Sequence, residues 1–197
     1  MGRILGVILI ILAIPFIFHE QIKGFIFERF NEKVIVAIEN DHQQVEKNLL
    51  EKLYIKDEKS IKVSGIEGVL SIPSINLEEP IFQGASVENL KNGVALVDEL
   101  ESFNENNIAI AGHKMNAYGI LFNRLHEVTV GDEISIKTNE KTLTFIVTKR
   151  FEVTPEEVSV LEETDEKTIT LITCESYNWD TDKFEERMII RGVAKEI

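Results

Sequence analysis

Lys167-Thr168-Ile169-Thr170-Leu171-Ile172-Thr173-Cys174 (KTITLITC) is a β-branched and aliphatic run that ends on the only cysteine of the chain. Alternate residues of a strand face opposite sides of a sheet, so Ile169 and Leu171 share a face with Thr173, while Cys174 is in phase with Thr168, Thr170 and Ile172. The thiol is therefore turned away from the Ile169/Leu171 side. The same parity applies to Asn107-Ile108-Ala109-Ile110-Ala111-Gly112-His113, where Ile108 and Ile110 share one face and Ala109, Ala111 and His113 the other. In Arg187-Met188-Ile189-Ile190-Arg191 the two arginines are in phase with Ile189 and out of phase with Met188 and Ile190. Three strand ends thus offer His, Cys and Arg to an outer surface.

Working outward, the chain beyond Gly65 breaks into short β-rich runs: 69–72, 75–77, 81–83, 94–97, 107–111, 133–137, 142–153, 168–173 and 187–194. Seven to nine strands at this spacing predict an all-β barrel or sandwich. Thr138-Asn139-Glu140-Lys141 reads as a hairpin turn, and Ser86-Val87-Glu88-Asn89, Leu121 to Leu125 and Pro155-Glu156-Glu157 as short helical turns.

Composition bounds the function. A chain of 197 residues with 44% hydrophobic and 28% charged residues builds one folded core. Its net charge of −13 has the wrong sign for phosphate neutralisation, which argues against nucleic acid as a partner. One cysteine excludes an internal disulfide framework and any clustered-cysteine metal site.

Ile4 to Phe18 is an uncharged apolar run behind Arg3. It is short for a bilayer span of ~20 residues, yet no small-x-small cleavage site follows it, so an uncleaved signal-anchor is favoured over a secretory signal peptide. Either reading puts the remainder outside the cell, as an extracellular domain at the cell membrane. From Phe30 to Leu53, apolar residues recur at intervals of three and four, as in an amphipathic helical stalk or appendage. The expected organisation is a cytoplasmic tip and membrane anchor over 1–29, a helical stalk over 30–63 and a folded extracellular domain over 64–197.

A thiol becomes a useful nucleophile beside a cation or base that favours the thiolate, and the oxyanion it creates needs a donor opposite. Cys174, His113 and Arg187 supply those groups. Residue chemistry by itself stops at a candidate cysteine enzyme, since a cysteine at a strand end is usually a small hydrophobe. Thr170-Leu171-Ile172-Thr173-Cys174 (TLITC), followed 187 − 174 = 13 positions later by Arg187 in Glu186-Arg187-Met188-Ile189, resembles the signature of sortases. Ala109-Ile110-Ala111-Gly112-His113 (AIAGH) resembles the family's histidine motif.

The resemblance implies a closed eight-stranded β-barrel and a cysteine transpeptidase tethered outside a Gram-positive cell, most like the class A type. Its substrates would be secreted proteins bearing an LPxTG-like sorting signal, and its acceptor an amine of a peptidoglycan precursor. By similarity, Cys174 forms a thioacyl-enzyme, His113 is the acid and base, and Arg187 steadies the oxyanion. Ala109 and Ala111 are candidates for the floor of the peptide groove, either so or as small residues packed under a neighbour, and Thr173 is a third candidate contact. No cofactor is required. Asp98, Glu101, Glu105 and Glu163 match the positions where some class A members bind calcium, which would act as an activator. Two rivals stay open: a membrane-tethered β-domain that binds calcium or a ligand without chemistry, and a cysteine hydrolase using the same residues.

Overall fold

A computed structural model describes residues 13, 14, 16–40, 44–54, 60–62, 65–98, 102–114 and 120–195. Ahead of the barrel come helix α1 (His19–Glu39), strand β1 (Gln44–Glu46), helix α2 (Leu49–Tyr54) and strand β2 (Ser60–Lys62), the two strands pairing antiparallel. Then follow β3 (Ile66–Ile72), β4 (Leu77–Phe82), the short helix α3 (Val87–Asn92), β5 (Val94–Leu96), β6 (Asn107–Ala111), β7 (Glu133–Lys137), β8 (Thr142–Val153), β9 (Thr168–Asn178) and β10 (Lys183–Ala194).

The last eight strands close on themselves in the order β10-β8-β7-β3-β4-β5-β6-β9, which leaves no open sheet edge. Period-two alternation drives that closure. Leu70, Ile108, Ile110, Ile136, Phe145, Ile169, Leu171 and Ile190 are all buried in one central cluster, each aliphatic side chain contributing ~1.5–3 kcal/mol of burial. The all-β barrel expected from the sequence is thus present, with the Ile108/Ile110 and Ile169/Leu171 faces inside.

Three local features differ from the sequence reading. The stretch 75–77 is not a strand: Pro73–Ile75 form a 3-10 turn that ends on Asn76 at a left-handed φ of 49°, and β4 starts at Leu77. Proline's fixed φ and missing N–H favour such a turn over continued pairing. Secondly, β9 and β10 run well past the anticipated ends, so Cys174 and Arg187 lie inside one long hairpin. Thirdly, the anticipated stalk divides into the end of α1, β1, α2 and β2, and the 29/30 boundary falls within α1.

Helix α1 docks on the barrel. Ile26, Phe30, Val34 and Ala37, spaced at four, four and three, present one stripe with Phe27 and share a second buried cluster with Phe82, Ala95, Ile120 and Leu121. Among the described residues no helix is long and apolar enough to cross a membrane. Residues 4–12 and 15 of the apolar run lie outside them.

Candidate active site

Strand β9 carries the cysteine between two neighbours. On one side it pairs antiparallel with β10, where Arg187 is the Cα partner of Cys174. On the other it pairs parallel with β6, Ala111 lying opposite Ile172 and the Gly112 N–H donating to the Ile172 carbonyl at 3.0 Å. Two residues beyond that last pair along each chain stand His113, past the end of β6, and Cys174. Side chains bracket that register. Thr173 Oγ1 donates to the Gly112 carbonyl at 2.8 Å, and the Lys114 ammonium pairs with the Glu175 carboxylate.

His113 leaves the barrel under backbone control, its carbonyl accepting from the Phe122 N–H at 3.1 Å. Gly112 allows this approach, because a Cβ there would stand 2.5 Å from the Phe122 ring. Burial pulls the His113 imidazole below its ordinary range and favours the neutral ring, the form able to take a proton from a thiol. Cys174 is half-buried and unbridged.

The two arginines of β10 have different neighbours. Arg187 Nη1 donates to the Glu186 carbonyl at 3.1 Å. Arg191 is held by Thr170 Oγ1 at 3.3 Å and the Val160 carbonyl at 3.0 Å, and it lies over the Phe151 ring. Asn107 Nδ2 donates to the Val160 and Glu162 carbonyls at 3.0 and 2.9 Å. Arg191 and Asn107 therefore pin the segment that leads into β9, while Arg187 stands opposite the thiol.

Of the candidate substrate contacts, Thr173 is buried, with its hydroxyl committed to Gly112. Ala111 is half-buried beside Ile172, and Ala109 is buried at the wall of a neighbouring hollow. That hollow, of about 280 Å³, is lined by Asp98, Glu105 and Glu163 along with Val97, Asn107, Ala109 and Leu161. Glu101 lies outside the described residues. Among those described, no three acidic or other ligating side chains come together as a metal site. Nearby, Lys167 donates to the Phe103 carbonyl at 2.7 Å and to the Glu105 carbonyl, with Glu105 and Glu163 near enough to act on its charge. Burial pulls this ammonium below its ordinary range, as does Lys141 to a lesser degree.

A Sortase domain model matches residues 70–195, well over half of the chain. The chain belongs to the sortase family. Sortase A of Staphylococcus aureus (strain NCTC 8325 / PS 47) is 31% identical over 98% of this chain and 95% of its own length. Sortase A of Bacillus anthracis is 38% identical over 59% of this chain and 56% of that relative. The solved sortase A of Listeria monocytogenes superposes with a TM-score of 0.62 at 26% identity, covering 67% of this chain and 88% of that one. A sortase D5 transpeptidase from Clostridium perfringens superposes at 0.63 with 25% identity over 84% and 98% of the two chains. The resemblance to class A is thus carried by relatives of that name.

The sequence reading missed the Lys114–Glu175 pair and the Thr173–Gly112 tie. The first lies one register step after the two motif ends and the second one step before them, a signal available only once β6 and β9 are known to be parallel neighbours.

Proposed function

We propose that this sortase is a cysteine transpeptidase that cleaves an LPxTG-like sorting signal and transfers the secreted protein to an amine of a peptidoglycan precursor. The observation that carries the reading is the position of Cys174 on β9, with Arg187 its cross-strand partner on β10 and His113 two residues beyond the last β6–β9 pair.

Neutral His113 takes the thiol proton of Cys174, and the thiolate attacks the threonine carbonyl of the signal. The oxyanion is met by Arg187, whose planar fork offers several donors. The C–N bond then breaks, the imidazolium protonates the departing amine, and a thioacyl-enzyme remains. The incoming amine adds to the thioester carbonyl and gives its proton to His113, and the C–S bond breaks to restore the cysteine. Ala109 and Ala111 belong to this reading as small residues on the His113 side of β6, keeping that wall low. The apolar run over 4–18 serves as the membrane anchor that holds the domain where both substrates arrive. Calcium has its candidate place, as an activator, at Asp98, Glu105 and Glu163 around the hollow together with Glu101, where the nearby Lys167 ammonium already acts on Glu105 and Glu163.

The test incubates the full chain with a labelled LPxTG-type peptide and an amine acceptor and weighs the products. A peptide–amine adduct supports the proposal. A free peptide acid alone would make the chain a hydrolase, and no thiol-dependent product would make it a binding domain.

A further inference from the structure

We propose that Glu79 is the positioning residue for His113, clamping the segment that holds the His113 backbone to the docked helix α1. This rests on the reading of His113 as acid and base.

Glu79, on β4, is buried at 3% exposure between α1 and the barrel. Its Oε1 accepts from the Leu121 N–H at 3.1 Å, and its Oε2 accepts from Asn31 Nδ2 of α1 at 2.6 Å. Leu121 sits at φ 49° and ψ −135°, a backbone geometry that costs a non-glycine residue free energy and persists only where its surroundings enforce it. The enforcing contacts are visible: Leu121 bridges back to Lys114, and the next residue, Phe122, donates its N–H to the His113 carbonyl. A chain of bonded groups thus runs from α1 through Asn31, Glu79, Leu121 and Phe122 to His113. No group in the proposed chemistry needs a carboxyl at this position.

The clamp is sensitive to proton uptake. Burial pushes the Glu79 carboxyl up to about 8, outweighing its two donors, so near neutral pH it is largely uncharged. Among the described residues Asn31 Oδ1 is buried without a partner. A half-turn of that amide would let protonated Glu79 donate to it, and 2.6 Å suits an O–H···O bond. Loss of the proton puts a charge at the floor of a cleft of about 720 Å³ between α1 and the barrel. From α1, Glu28 and Glu32 line that cleft, and from β4 so does Glu78, all of the same sign. Arg124 of the 3-10 turn at Phe122–Glu127 also lines it, with its guanidinium bonded to Glu127 and to the Ile75 carbonyl. Ionised Glu79 is therefore unwelcome, and the clamp slackens as pH rises through about 8.

The test measures kcat and KM for amine transfer by the full chain between about pH 6 and about pH 9.5. Glu79→Gln keeps an acceptor for Leu121 and a donor for Asn31 Oδ1 but cannot ionise, so its kcat should hold where that of the native enzyme falls. Glu79→Leu removes both bonds and should lower kcat by roughly 10- to 100-fold with KM little changed, the scale of a misplaced catalytic group. An alkaline limb for Glu79→Gln identical to the native one overturns the proposal, and it decides alone if Glu79→Leu does not fold. A folded Glu79→Leu with native kcat overturns it as well. His113→Ala retaining native transfer would remove the underlying reading of His113. An inactive His113→Ala beside an unmoved Glu79→Gln profile sinks only the clamp.

Discussion

Arg187 lies directly across from Cys174, the two being Cα partners of the antiparallel β9–β10 pair, whereas Arg191 faces Thr170 four residues further along β10. Arg187→Lys should lower kcat/KM by roughly 10² to 10³, since an ammonium cannot reproduce the planar fork. Arg191→Ala should leave kcat near native and instead lower the melting temperature by a few degrees, about 1 kcal/mol for each lost hydrogen bond. Steady-state transfer and thermal melts of both variants separate the roles, and the opposite ranking would move the oxyanion function to Arg191.

The Lys114–Glu175 pair ties the residue after the histidine to the residue after the cysteine. It is mostly buried, with Glu175 Oε2 lacking a partner among the described residues, so removing the lysine leaves a poorly solvated carboxylate. Lys114→Met should destabilise the fold by about 1–3 kcal/mol, and adding Glu175→Gln should recover part of that loss. A double-mutant cycle in denaturant checks this. Strict additivity would mean that the pair contributes no coupling.

Lys167 predicts the calcium response. With an ammonium already acting on Glu105 and Glu163, the native enzyme should transfer equally well in chelator and in millimolar calcium. Lys167→Met should leave the acidic hollow without its cation, lowering activity in chelator and restoring it with calcium. Assays of both proteins with and without calcium decide it. A native enzyme that responds to calcium would return the site to Asp98, Glu101, Glu105 and Glu163 acting together.

Glu79 also predicts how stability varies with pH. Its carboxyl is raised from the ordinary 4.5 to about 8, so between those values the folded chain holds a proton that the unfolded chain has released. Stability from this group is complete below about 4.5 and is lost as pH rises towards 8. Glu79→Gln should therefore gain on the native protein in melting temperature across that window, and melts at several pH values will show whether it does.

Period two made the barrel legible: the parity of Ile108/Ile110 and Ile169/Leu171 assigned the core face and placed Cys174 away from it. The motif spacing made the trio legible too. The far half of the β9–β10 hairpin was not, because Glu175-Ser176-Tyr177-Asn178 and Lys183-Phe184-Glu185-Glu186 alternate too weakly to read as strands. There the pairing is reinforced by cross-strand contacts, Tyr177 against Phe184 and Asn178 with Glu185, and by Tyr177 against Trp179 in the turn. The docking of α1 was equally hidden. A stripe of Ile26, Phe30 and Val34 states that a helix has a partner but not which surface it meets. Nothing local to Glu78-Glu79-Pro80 reveals that Asn31 will cover Glu79.

The parallel pairing of β6 with β9 has a consequence for the newly made chain. His113 and Cys174 are 174 − 113 = 61 residues apart, and the contact that joins their strands is also one of the seams by which the barrel closes. Non-local pairings of this kind form late, because the entropy of the intervening loop opposes them. An incompletely folded chain therefore carries a thiol with no imidazole beside it. Competence to cut and join peptides arrives together with the finished barrel, which makes the enzyme's own maturation the gate on its reactivity.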